Sequence, residues 1–240
     1  MYRKENILWP EGKPPSEAYC DEERRLAILA AHGTDAMIDD PELQEIVDLA
    51  AKVCEVPMVM VTMVEEGRQM FLARTGIDAR ETPRSTSFCA HAMLGTEPMV
   101  IRDAKEDIRF ADNPLVTGEP HIRFYAGAPL ITSEGHALGT LCVIDDKPRG
   151  TFDDTDGEIL RDLAASVVAL IENEEQVREM TELAVINREL QHRMGNMYAH
   201  VSSLISLLDK SDLRHEEYVS RLREKVNAFA LAQSLLASNQ

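Results

Sequence analysis

Nine positions between Met180 and Leu208 constrain this chain more than any other stretch. Met180, Leu183, Asn187, Leu190, Met194, Met197, Val201, Leu204 and Leu208 follow one another at alternating intervals of three and four, and only Asn187 is polar. A repeat of that period makes a helix whose apolar line must face another helix, because about 3.5 residues per turn keeps the line on one side. With Met180 at position a, Asn187 is a second a position, where a polar side chain fixes register and strand number at some cost in stability. His192 then falls at f, on the outside of the pair, with Glu189 one turn before it and Asn196 one turn after it on the same side. An imidazole in that place is either an ordinary solvated side chain or a nucleophile on offer.

Beyond the seam the pattern predicts a helical hairpin. Asp209-Lys210-Ser211-Asp212 interrupts it with residues that cap helices, and Tyr218, Val219, Leu222, Val226, Phe229 and Leu236 resume it. After Met197 the apolar face widens to include Tyr198, Ile205 and Leu207, more than a two-stranded coil buries and about what a four-helix bundle buries. The expectation is a homodimer whose two hairpins form that bundle.

The stretch Glu189-Leu190-Gln191-His192-Arg193-Met194-Gly195-Asn196, followed by Val201, Leu204 and Leu208, resembles the phosphoacceptor helix of sensor histidine kinases of the HWE type, which carry His-Arg-x-x-Asn. The resemblance implies that His192 accepts phosphate from ATP and passes it to an aspartate on a response regulator. Glu189 is then the candidate base for the imidazole, within one helical turn. Arg193 either hydrogen-bonds phosphoryl oxygens or serves an interhelical ion pair, and Asn196 orients water or the phosphoryl group. The expected partners are a second copy of the chain, a response regulator receiver domain and a histidine-kinase catalytic domain. Only eleven residues follow Phe229, and no Gly-rich phosphate loop occurs in this part. ATP is therefore expected to act only through a catalytic domain this polypeptide lacks, the chain being either cut from a longer kinase or phosphorylated in trans.

The first three quarters follow different rules. Asp21 to Ala31 and Glu42 to Cys54 have helical periodicity. Val56 to Val64 reads as a strand, Glu65-Glu66-Gly67-Arg68 as a turn, and Gln69 to Arg74 as the returning strand. Ser87 to Leu94 predicts a short helix and Met99 to Arg102 a strand. Asp103 to Glu119 predicts a loop with one helical turn, and Ile122 to Ile131 and Ala137 to Ile144 a hairpin around Ser133-Glu134-Gly135-His136. Thr155-Asp156-Gly157-Glu158 predicts a capping box that opens a helix with Ile159, Leu160, Leu163, Val167, Leu170 and Ile171 facing a core. Helices at both ends of a mostly antiparallel sheet define an α+β domain.

Charge and cysteine usage exclude several classes. A formal charge of −17 opposes binding to nucleic acid or an anionic membrane, which needs clustered Lys and Arg. No apolar run reaches the length of a membrane span and no signal-peptide core follows the N-terminus, so a cytoplasmic location is expected. Cys20, Cys54, Cys89 and Cys142 are widely spaced, which indicates neither a metal site nor a disulfide framework.

Several phrases together resemble GAF domains over about residues 21–172. They are Ser87-Phe88-Cys89-Ala90-His91-Ala92, Asp103-Ala104, Arg109 to Val116, Ile122 to Leu130 and Leu138 to Asp145. The resemblance implies a GAF-type antiparallel sheet flanked by helices, with a small ligand or chromophore held between sheet and loops. It divides the chain into an N-terminal arm (1–20), a GAF sensor domain (21–172), and a signalling helix with dimerisation and phosphoacceptor hairpin (173–240). Phe88, Cys89, His91, Asp112, His121, Arg123 and Tyr125 are the candidate ligand contacts, although Cys89 and His91 also fit as satisfied core residues and Arg123 and Asp112 as a simple ion pair. The ligand is left unknown: Cys89-Ala90-His91 departs from the adjacent Cys-His pair of bilin attachment, and haem would need His91 or His121. The leading expectation is the sensory and phosphoacceptor part of a cytoplasmic histidine kinase. Two others stand beside it: a GAF-fold reductase using Cys89 and Cys142, and a dimer that binds a response regulator without catalysis.

Overall fold

The computed structural model describes residues 21–209, 214, 217, 219–224 and 226–227. They fall into two compact units divided between Gln176 and Val177.

Local chemistry sets the ends of the first helices. Helix α1 (Glu22–His32) starts at Asp21, whose carboxylate accepts from the Arg24 N–H at 3.2 Å, and stops at Gly33 in the left-handed conformation. Helix α2 (Pro41–Val53) starts at Asp40, whose Oδ1 accepts from the N–H groups of Glu42 and Leu43, with a proline at its first position. Leu43, Val47 and Ala50 recur on one face of α2 and are fully buried.

Six strands follow among the described residues: β1 (Met58–Val64), β2 (Arg68–Thr75), β3 (Glu81–Pro83), β4 (Met99–Ile101), β5 (Phe124–Ile131) and β6 (Ala137–Asp145). They form one sheet in the order β3-β2-β1-β6-β5-β4, each neighbouring pair antiparallel. Sequence periodicity predicts every strand except β3. Three residues ending in a proline carry no alternation, and β3 exists because Arg68, Gln69 and Met70 of β2 offer it an edge. The short helix α3 is Cys89–Ala92, and the single turn expected in the long loop is α4 (Pro114–Thr117), capped by Asn113.

Because side chains alternate along a strand, the sheet has two interiors. Val59, Val61 and Met63 of β1, with Leu141 and Val143 of β6, face α1, α2 and the start of helix α5 (Asp154–Asp209) in an aliphatic core. Met58, Met60 and Val64, with Cys142 and Ile144, face α3 and the loops. Helix α5 contributes Leu160, Ala164, Val167 and Ile171 to the first core. Its cap differs from the expected box at Thr155. The Asp153 carboxylate accepts from the N–H groups of Thr155 and Asp156, and the Asp156 carboxylate accepts from the Asp153 N–H, so the reciprocal pair sits two residues earlier.

In the second unit α5 continues to Asp209, exposing Met180, Leu183, Leu190, Met194 and Met197 at heptad spacing. The expected second helix is helical at 217, 219–224 and 226–227. Lys210, Ser211, Asp212, Tyr218, Phe229 and Leu236 lie outside the described residues, as does the N-terminal arm with Cys20.

Candidate functional site

The second face of the sheet carries a narrow cleft with about 40 Å³ of free space. Its floor is Met58 and Met60 of β1, Phe71 of β2, Tyr125 of β5 and Ile144 of β6, and its roof is Phe88, Cys89, Leu115 and Ile122. Strand parity explains the floor. Met58 pairs with Ile144, Met60 with Cys142 and Thr62 with Thr140, so all six side chains fall on one face. Polar groups are few. Ser87 and Gln69 hydrogen-bond to each other on the cleft wall, and the Ser87 hydroxyl also accepts from the Ala90 N–H at 3.0 Å, which fixes the entry to α3.

At the inner end of the cleft two cysteines meet. Cys89 comes from the start of α3 and Cys142 from the middle of β6, and their sulfurs are 3.6 Å apart with both residues buried. The Tyr125 hydroxyl donates to Cys89 Sγ at 3.3 Å. Tyr125 can lie this way because Gly127, two residues along the same face of β5, has no side chain: a Cβ there would run into the phenol. Below the pair, Thr62 Oγ1 lies 3.2 Å from both the hydroxyl and the carbonyl of Thr140. Burial by itself pushes the Cys89 thiol up, but donors at Cys142, Thr140, Tyr125 and Thr62 outweigh it, and the thiol lies below its ordinary value. Cys142 moves the other way, through its bond with Cys89 and through burial. Burial holds the Tyr125 phenol well above its usual range, so it stays a donor.

Of the seven predicted contacts, Phe88, Cys89 and Tyr125 line the cleft. His91 is buried behind it, edge-on to Phe110 at 4.9 Å; burial and the Arg109 guanidinium bring it down to about 4. The other three are not brought to the cleft. Asp112 is exposed, and Arg123 pairs with Asp103 at 2.6 Å instead of with Asp112. His121 points to solvent beside Glu119. Their polarity and their place along segments bordering the cleft point to them, but the loop that carries Asp112 turns its carboxylate outward and buries Phe110 and Val116 instead. The missed contacts are mostly apolar, among them Met58, Met60, Phe71 and Ile144, whose shared parity along three adjacent strands was the signal available.

The helical candidates lie on the exposed side of α5. His192 is exposed on α5, and Glu189, its expected base, accepts from Arg193 Nε at 2.8 Å within the same helix. That is a common i,i+4 surface pair. Asn196 is one turn further on and exposed. Among the described residues no group of three or more His, Cys, Asp or Glu side chains forms a metal site, and no helix is long and apolar enough to cross a membrane.

The six-stranded antiparallel sheet with helices on one face and a loop-roofed cleft on the other is an α+β arrangement. Residues 40–171 match the GAF domain family model, more than half of the chain, and the chain belongs to that family. It is 43% identical over 163 residues to a cyclic di-GMP phosphodiesterase of Pseudomonas aeruginosa, a match that covers 68% of this chain and 26% of that protein. Similar solved structures include a free methionine-R-sulfoxide reductase of Neisseria meningitidis (16% identity, TM-score 0.49, 65% of this chain and 88% of that chain). A GAF domain of an Acinetobacter phosphoenolpyruvate-protein phosphotransferase is also similar (19% identity, TM-score 0.48, 65% and 92%).

The similarity to the phosphodiesterase overturns the histidine-kinase reading. A match over 163 residues outweighs an eight-residue phrase whose Glu, Arg and Asn are also what an exposed helix face carries. The reductase and regulator-sequestering alternatives gain no support from it either.

Proposed function

We propose that this chain is a sensory module of a cyclic di-GMP signalling protein, in which occupancy of the cleft regulates phosphodiester hydrolysis carried out elsewhere in the assembly. The cleft carries the reading. It is the concave apolar site of the family's fold in this chain, with a small polar set at its wall, as ligand sites have. The 43% identity to a cyclic di-GMP phosphodiesterase supports the kind of output. Helix α5 gives the domain an output element, because Leu160, Val167 and Ile171 are buried against the sheet and the same helix continues to Asp209. Its exposed heptad line suits a second copy of this chain, the occupant that an identical repeat matches without further design.

A chimera tests this. The matching segment of the Pseudomonas aeruginosa phosphodiesterase is replaced by this chain, either with its own cleft or with Leu115→Trp, which fills it, and cyclic di-GMP hydrolysis is followed. The reading expects the two chimeras to differ several-fold at equal folded content. Equal rates sink it. Sedimentation of the chain before and after Leu190→Lys with Met194→Lys tests the pairing, and a chain that is monomeric before the change removes it.

A further inference from the structure

The regulatory reading gives no role to the buried thiol pair at the inner end of the cleft. Two cysteines from separate elements, α3 and β6, are brought to 3.6 Å, while Cys54, the other described cysteine, is buried in the opposite core. One of the pair, Cys89, lines the cleft; Cys142 lies behind it. A hydroxyl donor, Tyr125, is aimed at the sulfur that lines the cleft, in space that Gly127 leaves open. A structural core has no need for that set, since an apolar residue of similar size fills the same volume without a polar group to satisfy.

We propose that Cys89 and Cys142 form a redox switch, which a small hydroperoxide entering the cleft converts from two thiols to one disulfide that ties α3 to β6. The Cys89 thiol gives up its proton and the thiolate attacks one oxygen of the peroxide; the O–O bond breaks, the alkoxide or hydroxide takes that proton and leaves as alcohol or water, and Cys89 becomes a sulfenic acid. Cys142 sulfur then attacks Cys89 sulfur, forming the S–S bond and expelling hydroxide, which takes the Cys142 proton and leaves as water. Two thiols lose two electrons and the peroxide gains them. The change happens once per chain, so it is a modification of the sensor and not turnover of a substrate. The apolar walls argue for a small neutral oxidant over a charged tripeptide disulfide, which would have to desolvate its charges to reach Cys89. Closing the bond draws the sulfurs from 3.6 Å to about 2 Å, and moves the start of α3, with Phe88 in the cleft roof, toward β6.

The assignment of roles is asymmetric and follows from position. Cys89 faces the cleft and has the donors that stabilise a thiolate, and its pKa is displaced in the direction a nucleophile needs. Cys142 has no cleft surface and waits as the resolving thiol. Tyr125 is a positioning residue that acts through Cys89.

The test uses the reduced full chain and hydrogen peroxide, followed by alkylation in denaturant and peptide mapping without reductant. The expected product is a Cys89–Cys142 cross-linked peptide, with Cys54 still alkylated. Cys142→Ser should stop at a Cys89 sulfenic acid that dimedone traps, and Cys89→Ser should leave Cys142 reduced. Tyr125→Phe should slow the reaction roughly tenfold near neutral pH and move its pH profile upward, because the thiolate loses a charge-assisted hydrogen bond. A purely structural tyrosine would change stability without moving that profile. The wild-type map decides whether or not the variants fold: an unchanged pattern of alkylation after peroxide, or cross-links shared at random with Cys54, overturns the proposal. This inference rests on the regulatory reading only for what oxidation controls. Cleft-dependent hydrolysis in the chimera together with inert thiols would remove the switch and leave that reading in place.

Discussion

The two faces of the sheet are made from the same strands and could hardly differ more. On the helix-covered face, β1 and β6 present Val59, Val61, Met63, Leu141 and Val143 to aliphatic side chains of α2 and α5. On the cleft face the alternate positions of those strands are Met58, Met60, Thr62, Thr140, Cys142 and Ile144, meeting aromatic rings of α3 and its neighbouring loops. Phe88 stacks on Phe110 at 4.0 Å and leans on Tyr125 at 5.2 Å. One face is filled with groups that ask only for burial; the other has hydroxyls, thiols and rings that need particular partners. Alternation by single residues lets a short sheet hold a stability core and a chemical site back to back.

The comparison predicts where substitutions cost most. Leu141→Ala, fully buried on the helix face, should lower unfolding stability by about 4 kcal/mol, because a close-packed aliphatic layer cannot collapse around the lost side chain. Urea denaturation measures it. The peroxide reaction of the folded fraction should be unchanged, and a variant that loses both together would show that the faces are not independent.

Next in size is the ion-pair cluster that anchors α1. Glu22 accepts from Arg25 Nε and Nη2 at 2.8 Å each and pairs with Arg84 at 2.6 Å, and Arg25 also donates to the Val64 carbonyl at 2.7 Å. Burial would raise Glu22, but the hydrogen bonds from Arg25 and Arg84 prevail and bring it down to about 2. Glu22→Gln should cost about 3 kcal/mol, since it leaves two buried guanidiniums facing a neutral amide. The sign of the pH effect follows from the lowered value. The contribution is complete above the ordinary carboxylate value of 4.5, and is lost as pH falls from there toward 2. Acid titration of wild type against Glu22→Gln should show the difference shrinking over that window.

The cleft face should respond to acid at a higher pH. His91 is held down to about 4 by burial and then by Arg109, so the folded state keeps it neutral while the unfolded chain takes up a proton below about 6.5. Stability is therefore full above 6.5 and falls as pH drops toward 4, by at most about 1.4 kcal/mol per pH unit. His91→Gln should flatten that part of the curve and leave the Glu22 window untouched. A slope between 6.5 and 4 that survives in His91→Gln would move its origin elsewhere.

Most of this arrangement was readable where periodicity and chemistry coincide. The strand expected at Val56 to Val64 is β1, and the helical periodicity from Glu42 to Cys54 is α2. Phe88, Cys89 and Tyr125 were found because the motif phrases that mark the family also build the cleft. Asp112, His121 and Arg123 were not resolved by the same reasoning, because which way a loop side chain points depends on which neighbour is buried, here Phe110 and Val116. Edge strand β3 needed its partner to exist, and the phosphoacceptor reading failed because a surface helix reuses the same few charged residues for unrelated ends.

The smallest effect offers the sharpest comparison, because it exchanges one hydroxyl between faces at adjacent positions. Thr62→Val removes a hydroxyl that sits 3.2 Å from the Thr140 hydroxyl and carbonyl, and replaces it with a methyl of nearly the same shape. The Thr140 hydroxyl keeps the Cys89 sulfur as a partner, so the cost should be about 1 kcal/mol, one ordinary hydrogen bond. Val61→Thr makes the reverse change on the neighbouring residue, whose side chain faces Leu141, Val143 and other aliphatic groups of the helix-side core. That hydroxyl meets no side-chain partner in the layer and should cost more, about 2 kcal/mol, through desolvation alone. If the two exchanges cost the same in urea denaturation, the faces do not differ in what they demand of a side chain. If Val61→Thr is the more costly, the polar tolerance belongs to the cleft side, where a thiolate would need it.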